Sequence, residues 1–370
     1  MPKLAVFVLS LLLSSALTAI AGEGEDTIEF KNSPYPINID FSAENTIGAR
    51  IFESGLSETP PYSYDTVLIQ GEMPDPGLRI EILIRSKNQP KDFYKSQELE
   101  TRRFPNGRFW AKYSVGQQTR QPVKLSVINL GLKSSGKLII YEVELLKAAQ
   151  LKEIKEAVSA AAGMPDVSLS LPDTFPFKIT RRAGWRALPP KEAYTAQTPA
   201  MFTLHHTAGH YPKNYNEAVA EMQFIQDYHQ NARGWIDIGY HFQISPQGDI
   251  FEGRPIGVVG AHVLNHNTGN VGISIMGNYH PPASMPITPE IVSSLTAIGS
   301  YMKDAYSVSV SSFYAHRDLG PTDCPGDSLY ARMPEFKSLI FTPVPDAPAG
   351  SKALNRIIDS LKVPGEVKFQ

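Results

Sequence analysis

The strongest constraint on this chain is a period-two alternation of apolar and polar residues in its first half. Leu78, Ile80, Ile82 and Ile84 alternate with Arg79, Glu81 and Arg85. Val123, Leu125 and Val127 alternate with Lys124 and Ser126, and Ile139, Tyr141, Val143 and Leu145 with Glu142 and Glu144. Successive side chains of a strand point to opposite faces, so each run predicts a strand with one buried face. Pro74-Asp75-Pro76-Gly77 and Pro105-Asn106-Gly107 supply turns between such strands. Strands that follow one another without intervening helices predict an all-β, sandwich-like domain. Its aromatic residues Phe104, Phe109, Trp110 and Tyr113 fit either a sugar-binding face or core and hairpin pairs. A domain of this kind is also open to a separate role in adhesion or carbohydrate binding.

The second half reads differently. Phe202 to His205 is a strand, and Ala218, Met222, Ile225 and His229 share one face of a helix over residues 216–230. Residues 240–245 and 249–252 flank Pro246-Gln247-Gly248 as a hairpin. The short apolar run at residues 271–276 predicts a central strand. Thr288-Pro289-Glu290 is a helix start, with a capping hydroxyl, a proline at the first helical position and an early acid. Ile291, Leu295, Ile298, Met302 and Ala305 follow at helical spacing. Strand, helix, strands, helix predicts an α/β domain whose helices cover a central mixed sheet.

Between the halves, Leu151, Ile154 and Val158 predict a helix, and the Pro-, Ser- and Asp-rich residues 164–176 a linker. A second tail helix is expected over residues 354–361, after a proline-rich stretch. Residues 1–21 carry Lys3, a short apolar core and Ala19-Ile20-Ala21 before Gly22, the pattern of a secretory signal peptide. No other run approaches the length of a membrane span, so none is expected after cleavage. A net charge of −2 gives no electrostatic reason to expect nucleic acid as a partner.

The chemistry concentrates in a few residues. The chain has one cysteine, Cys324, which excludes an internal disulfide in an exported protein. It lies in the turn-like Thr322-Asp323-Cys324-Pro325-Gly326, eight residues after His316. With His205-His206-Thr207 at the end of a strand, these residues offer two imidazoles and a thiolate. That is the donor set of a zinc site with one position open, which makes a metal hydrolase the first expectation. Spacing alone does not choose between His205 and His206. Adjacent strand residues face opposite ways, so one of them reaches a metal easily.

Several blocks follow one another along the chain: Arg181-Arg182-Ala183-Gly184-Trp185-Arg186, Leu204-His205-His206-Thr207, Gly234-Trp235-Ile236-Asp237-Ile238-Gly239-Tyr240-His241, Phe251-Glu252-Gly253-Arg254, Gly260-Ala261-His262, Val271-Gly272-Ile273-Ser274-Ile275-Met276-Gly277-Asn278, His316-Arg317-Asp318 and Thr322-Asp323-Cys324-Pro325-Gly326. Over about residues 179–336 the chain resembles the type 2 N-acetylmuramoyl-L-alanine amidases and the related peptidoglycan recognition proteins. The resemblance implies one zinc ion per chain, held by His205, His316 and Cys324. It implies Tyr240 as the active-site tyrosine and Thr322 at a position near the attacking water. His229, His262 and Asn267 fall where relatives line the groove for muramyl peptide, with Arg233 and Trp235 as further candidates.

The expected organisation is a signal peptide (1–21), a β-sandwich-like accessory domain (22–146), a helix and linker (147–176), a zinc amidase domain (177–342) and a tail (343–370). The expected partner is peptidoglycan or its muropeptides, and the expected location the periplasm or the cell exterior. The alternative is a catalytically silent recognition protein. Loss of the cysteine ligand usually marks such proteins, and Cys324 is present here. Nothing in the sequence sets an oligomeric state.

Overall fold

A computed structural model describes residues 26–89, 91–147 and 174–342. The expected signal peptide, the helix over residues 151–158, most of the linker and the tail helix lie outside the described residues.

The first half is all-β. Strands β1 (Ile37–Phe41), β3 (Tyr64–Glu72), β6 (Gln97–Arg103), β7 (Arg108–Thr119) and β9 (Gly136–Leu146) form one antiparallel sheet in the order β1-β9-β3-β7-β6. Strands β2 (Arg50–Glu53), β4 (Leu78–Arg85), β5 (Phe93–Lys95) and β8 (Val123–Asn129) form a second, ordered β2-β8-β4-β5. Of the alternating residues predicted to be buried, Ile80, Ile82, Ile84, Leu125, Val127, Val143 and Leu145 meet between the sheets in one apolar cluster with Val67, Ile69, Leu138 and Ile140, while Ile139 and Tyr141 lie outside it. Burial of that shared face holds the two sheets together.

The second half has one mixed sheet, ordered β12-β11-β13-β10-β14. Its strands are β10 (Met201–His206), β11 (Phe242–Ile244), β12 (Ile250–Glu252), β13 (Asn270–Ile275) and β14 (Phe313–Ala315). Strand β13 lies at the centre, parallel to both β10 and β11, as its apolar sequence predicts. β10 is also parallel to β14, whereas β11 and β12 form the expected antiparallel hairpin. Helix α1 (Tyr215–Asp227) is capped by Asn214, whose side chain accepts from Glu217 N, and runs on as a π-helical turn over Tyr228–Ala232. Helix α2 (Pro289–Tyr306) starts at Thr288 as predicted. Two further helices, α3 (Asp327–Ala331) and α4 (Met333–Phe341), close the domain without having been anticipated. Among the described residues, no helix is long and apolar enough to cross a membrane.

The two halves share a core. Leu68, Trp110 and Leu146 of the β half cluster with Trp185, Met222, Phe224 and Ile225 of the other. Arg108 of β7, 1% exposed, pairs with Glu221 of α1 at 2.9 Å and lies 3.8 Å over the Phe224 ring. Trp110 Nε1 donates to Asp227 at 2.8 Å. Glu144 of β9 accepts from Tyr228 and pairs with Arg233. The aromatic residues first read as a sugar-face candidate therefore take their other role. Phe109 and Tyr113 lie in the sandwich core, Trp110 in the interface, and Phe104 packs edge-on against Phe224 at 5.2 Å.

Candidate metal centre and cleft

Parallel strands deliver their carboxyl ends to one edge of a sheet, where loops can assemble a site. Here β10 ends at His205 and His206, and β14 leads straight into a 3-10 turn that begins with His316. The loop from residue 317 to 326 brings Cys324 back to the same edge. Ligand atoms of His205, His316 and Cys324 lie within 4.8 Å of one another, and all three residues are buried. Cys324 Sγ is 3.6 Å from His205 Nδ1.

The donor chemistry fits a metal. His262 Nε2 lies 3.1 Å from the Asn270 carbonyl oxygen, which can only accept, so this nitrogen carries the proton. Burial first, then nearby His241, pushes the His262 pKa well below its ordinary value and keeps the ring neutral, so Nδ1 is an acceptor. His205 Nε2, 3.0 Å away, then donates to it. That bond leaves the lone pair of His205 on Nδ1, the atom turned toward Cys324. Burial, followed by its imidazole neighbours, lowers the His205 pKa in the same direction. A neutral imidazole with an oriented lone pair beside a buried thiol is a donor set suited to zinc.

Backbone packing fixes these side chains. Strand glycine Gly272 lies under His262, and a Cβ there would stand 2.7 Å from the ring. His241 supports the same ring at 5.8 Å between centroids. Arg317 holds the Cys324 loop: its backbone N–H donates to the Cys324 carbonyl at 3.0 Å, and its guanidinium reaches the Asp323 carbonyl and, at 2.8 Å, Asp327. Thr322 Oγ1 accepts from Cys324 N at 3.1 Å. Gly326 adopts φ +89°, and a Cβ there would meet the Tyr279 backbone at 2.4 Å.

The other expected site residues divide into two groups. Thr322 and Cys324 line a cavity of about 280 Å³. Tyr240 is buried, its ring centroid 5.2 Å from that of His205, and does not line this cavity. His206 lines it, while its Nδ1 accepts from Tyr279 N at 3.2 Å.

None of the five expected substrate contacts lines the cavity. His262 stands behind His205. Asn267 Oδ1 accepts from His262 N and Val263 N and shapes that loop. His229 is fully buried and accepts from Gly239 N at 3.0 Å. Arg233 pairs with Glu144 of the β half, its guanidinium 4.8 Å from the Trp235 ring centre. A loop arginine with no partner nearby in sequence reads as free to bind a ligand; here the other half of the chain supplies the partner. What sequence reasoning missed altogether is the opposite cavity wall, formed by residues 27–35 with Tyr141 and Glu142.

This architecture defines an α/β domain with a buried, metal-competent His-His-Cys centre at the carboxyl edge of its sheet. Residues 195–327 match the family model described as N-acetylmuramoyl-L-alanine amidase. The chain is 39% identical over 132 residues to peptidoglycan-recognition protein SC2 of Drosophila melanogaster, covering 34% of this chain and 68% of that protein. It is 30% identical over 197 residues to a Homo sapiens N-acetylmuramoyl-L-alanine amidase, covering 51% of this chain and 32% of that one. The solved Drosophila PGRP-LB structure, at 26% identity, covers 46% of this chain and 99% of its own, with a TM-score of 0.39. Through its second half the chain belongs to the N-acetylmuramoyl-L-alanine amidase family, together with the peptidoglycan recognition proteins.

Proposed function

We propose that the protein is an exported, zinc-dependent hydrolase that cleaves the amide bond between the lactyl group of N-acetylmuramic acid and L-alanine in peptidoglycan or its fragments. The observation that carries this reading is the buried trio of His205, His316 and Cys324 in a family that contains amidases. Export rests on the character of residues 1–21, and places the protein in the periplasm or outside the cell. The functional division follows the sequence: a β domain at residues 22–146 and the amidase domain at residues 177–342.

His205, His316 and Cys324 would hold a zinc ion, which when bound would supply Lewis acidity for the substrate carbonyl and the attacking water. His262 keeps His205 in the tautomer that offers Nδ1 as a ligand. Arg317 and Thr322 hold the Cys324 loop in place. The Tyr240 hydroxyl donates a hydrogen bond to the oxyanion as the carbonyl becomes tetrahedral. The Thr322 hydroxyl, on the cavity wall, orients the incoming water. One water is consumed: its oxygen joins the lactyl carbonyl carbon, the C–N bond breaks, and the amine of L-alanine leaves with a proton derived from that water.

A recognition protein without turnover is the second reading, favoured by the names of several relatives. The retained Cys324 and Tyr240 favour the enzyme. An amine-labelling assay on a purified muropeptide separates the two. A new L-alanyl amino terminus that accumulates with time supports the amidase, whereas saturable binding with no new amine supports the recognition protein.

A further inference from the structure

The cavity beside Cys324 lies between the two halves of the chain. One wall is the amidase edge, with His206, Asn278 and Thr322; the other is β-domain surface, with Glu29, Phe30, Asn32, Tyr35 and Tyr141. This second wall is firmly placed. Glu142 accepts from Gln70 of β3 at 3.0 Å, Tyr35 OH donates to the Ile28 carbonyl at 2.7 Å, and Phe30 and Tyr35 stack edge-on at 6.4 Å. The buried pair of Arg108 and Glu221 fixes the whole β domain against α1.

The chemistry of the wall is selective. Among the described residues, no lysine or arginine lines the cavity. It therefore lacks the fixed cation that would anchor a stem-peptide carboxylate, its basic groups being the imidazoles of His206 and His280. It offers instead side-chain oxygen acceptors on Glu29, Asn32 and Asp323, beside the Tyr35 and Tyr141 rings. Carboxylate and amide oxygens beside aromatic rings suit a ligand rich in hydroxyl and amide N–H donors and free of an anionic group on that side, which is the character of an N-acetylated amino sugar.

We infer that the β domain completes the substrate cleft, and that its residues 29–35 hold the N-acetylated sugar on the carbonyl side of the scissile amide. This inference rests on the amidase reading for the identity of the substrate, but not for the existence of the wall. It makes the β domain part of the substrate site rather than a separate wall-binding module.

The test uses the full-length mature protein with two exposed wall residues changed, Glu29→Ala and Asn32→Gly. Glycine is chosen at Asn32 because that residue holds φ +63°. Two substrates are compared: a disaccharide muropeptide, and a lactyl-peptide with the same stem but no sugar ring. The double variant should raise KM for the muropeptide about tenfold with kcat retained, as expected for one or two lost hydrogen bonds. Its KM for the sugar-free lactyl-peptide should match that of the wild type. Unchanged KM for both substrates, or an equal rise for both, overturns the inference. Calorimetric binding of the muropeptide keeps the two readings apart. If the wild type binds without cleaving, the amidase reading fails, and the wall stands only if the double variant binds about tenfold more weakly. An unchanged melting temperature confirms that the variant is folded.

Discussion

The tautomer of His205 is set by a residue that holds no metal. His262 takes the proton of His205 Nε2 as a hydrogen bond because its own Nε2 is committed to the Asn270 carbonyl. Replacing His262 with phenylalanine keeps a ring over Gly272 and removes the acceptor. Zinc affinity should fall about 10- to 100-fold, measured by competition with a chromophoric chelator. Unchanged affinity would mean that His205 finds its tautomer without help. At this scale the sequence was informative about identity and weak about direction. The three candidate ligands are recognisable from residue type and from the family blocks around them. His262 stands out in the same blocks, but nothing in the sequence says whether it faces the substrate or the back of a ligand. Gly272 was a usable signal, since a glycine inside an apolar strand often marks a close approach; here the approach is to the His262 ring.

The elements were legible where one face is buried and the other wet. Strands β4 and β8 and helix α2 follow their periodicity, whereas β9 departs from it. Leu138 and Ile140, not Ile139 and Tyr141, enter the sandwich core before a register shift opposite Gln70 and Gly71, and Glu142 and Glu144 are buried by β3 or by the other half of the chain. Helix α1 obeys its apolar pattern through Ala218, Met222 and Ile225, yet its polar residues Glu221 and Asp227 are buried as well. Periodicity predicts a solvated face there, because the residues that cover it come from β7, over a hundred positions earlier. The Arg108–Glu221 pair is the test of that docking. Arg108→Met leaves the Glu221 carboxylate buried without its partner and should cost about 3–5 kcal/mol in denaturant unfolding. Changing Glu221 to methionine in the same chain should restore most of the loss. A single variant as stable as the wild type would show that apolar packing alone holds the two halves together.

Across the whole molecule, the same docking ties the β domain to the loop that leaves the metal-bearing strand. His210 Nδ1 lies 2.6 Å from Glu72 of β3. Burial opposes the charged form of both groups, but the hydrogen bond between them, joined at Glu72 by one from Tyr141, prevails: the His210 pKa rises above 6.5, and the Glu72 pKa falls from 4.5 to about 2. The contribution of His210 is complete below pH 6.5 and fades as pH climbs through its raised value. That of Glu72 is present above pH 4.5 and fades as pH drops toward 2. The contact is therefore strongest between pH 4.5 and 6.5. A His210→Gln variant should show a flatter melting temperature than the wild type from about pH 6 to about pH 8. Identical slopes would remove this contact from the stability of the interface. The sequence divided the chain into an all-β half and an α/β half, but treated them as neighbours. Their shared core and shared cleft depend on pairings between distant residues, which no local pattern encodes.

Mass spectrometry of the products decides whether the lactyl–alanine amide is cleaved in a metal-dependent reaction. Purified muropeptide is incubated with wild-type protein, with chelator-treated protein before and after zinc is restored, and with Cys324→Ala. Free peptide beginning at L-alanine should appear with the wild type, vanish on chelation, return with zinc, and be absent with the variant. Intact muropeptide in every sample, with zinc bound to the wild type, would contradict metal-dependent cleavage.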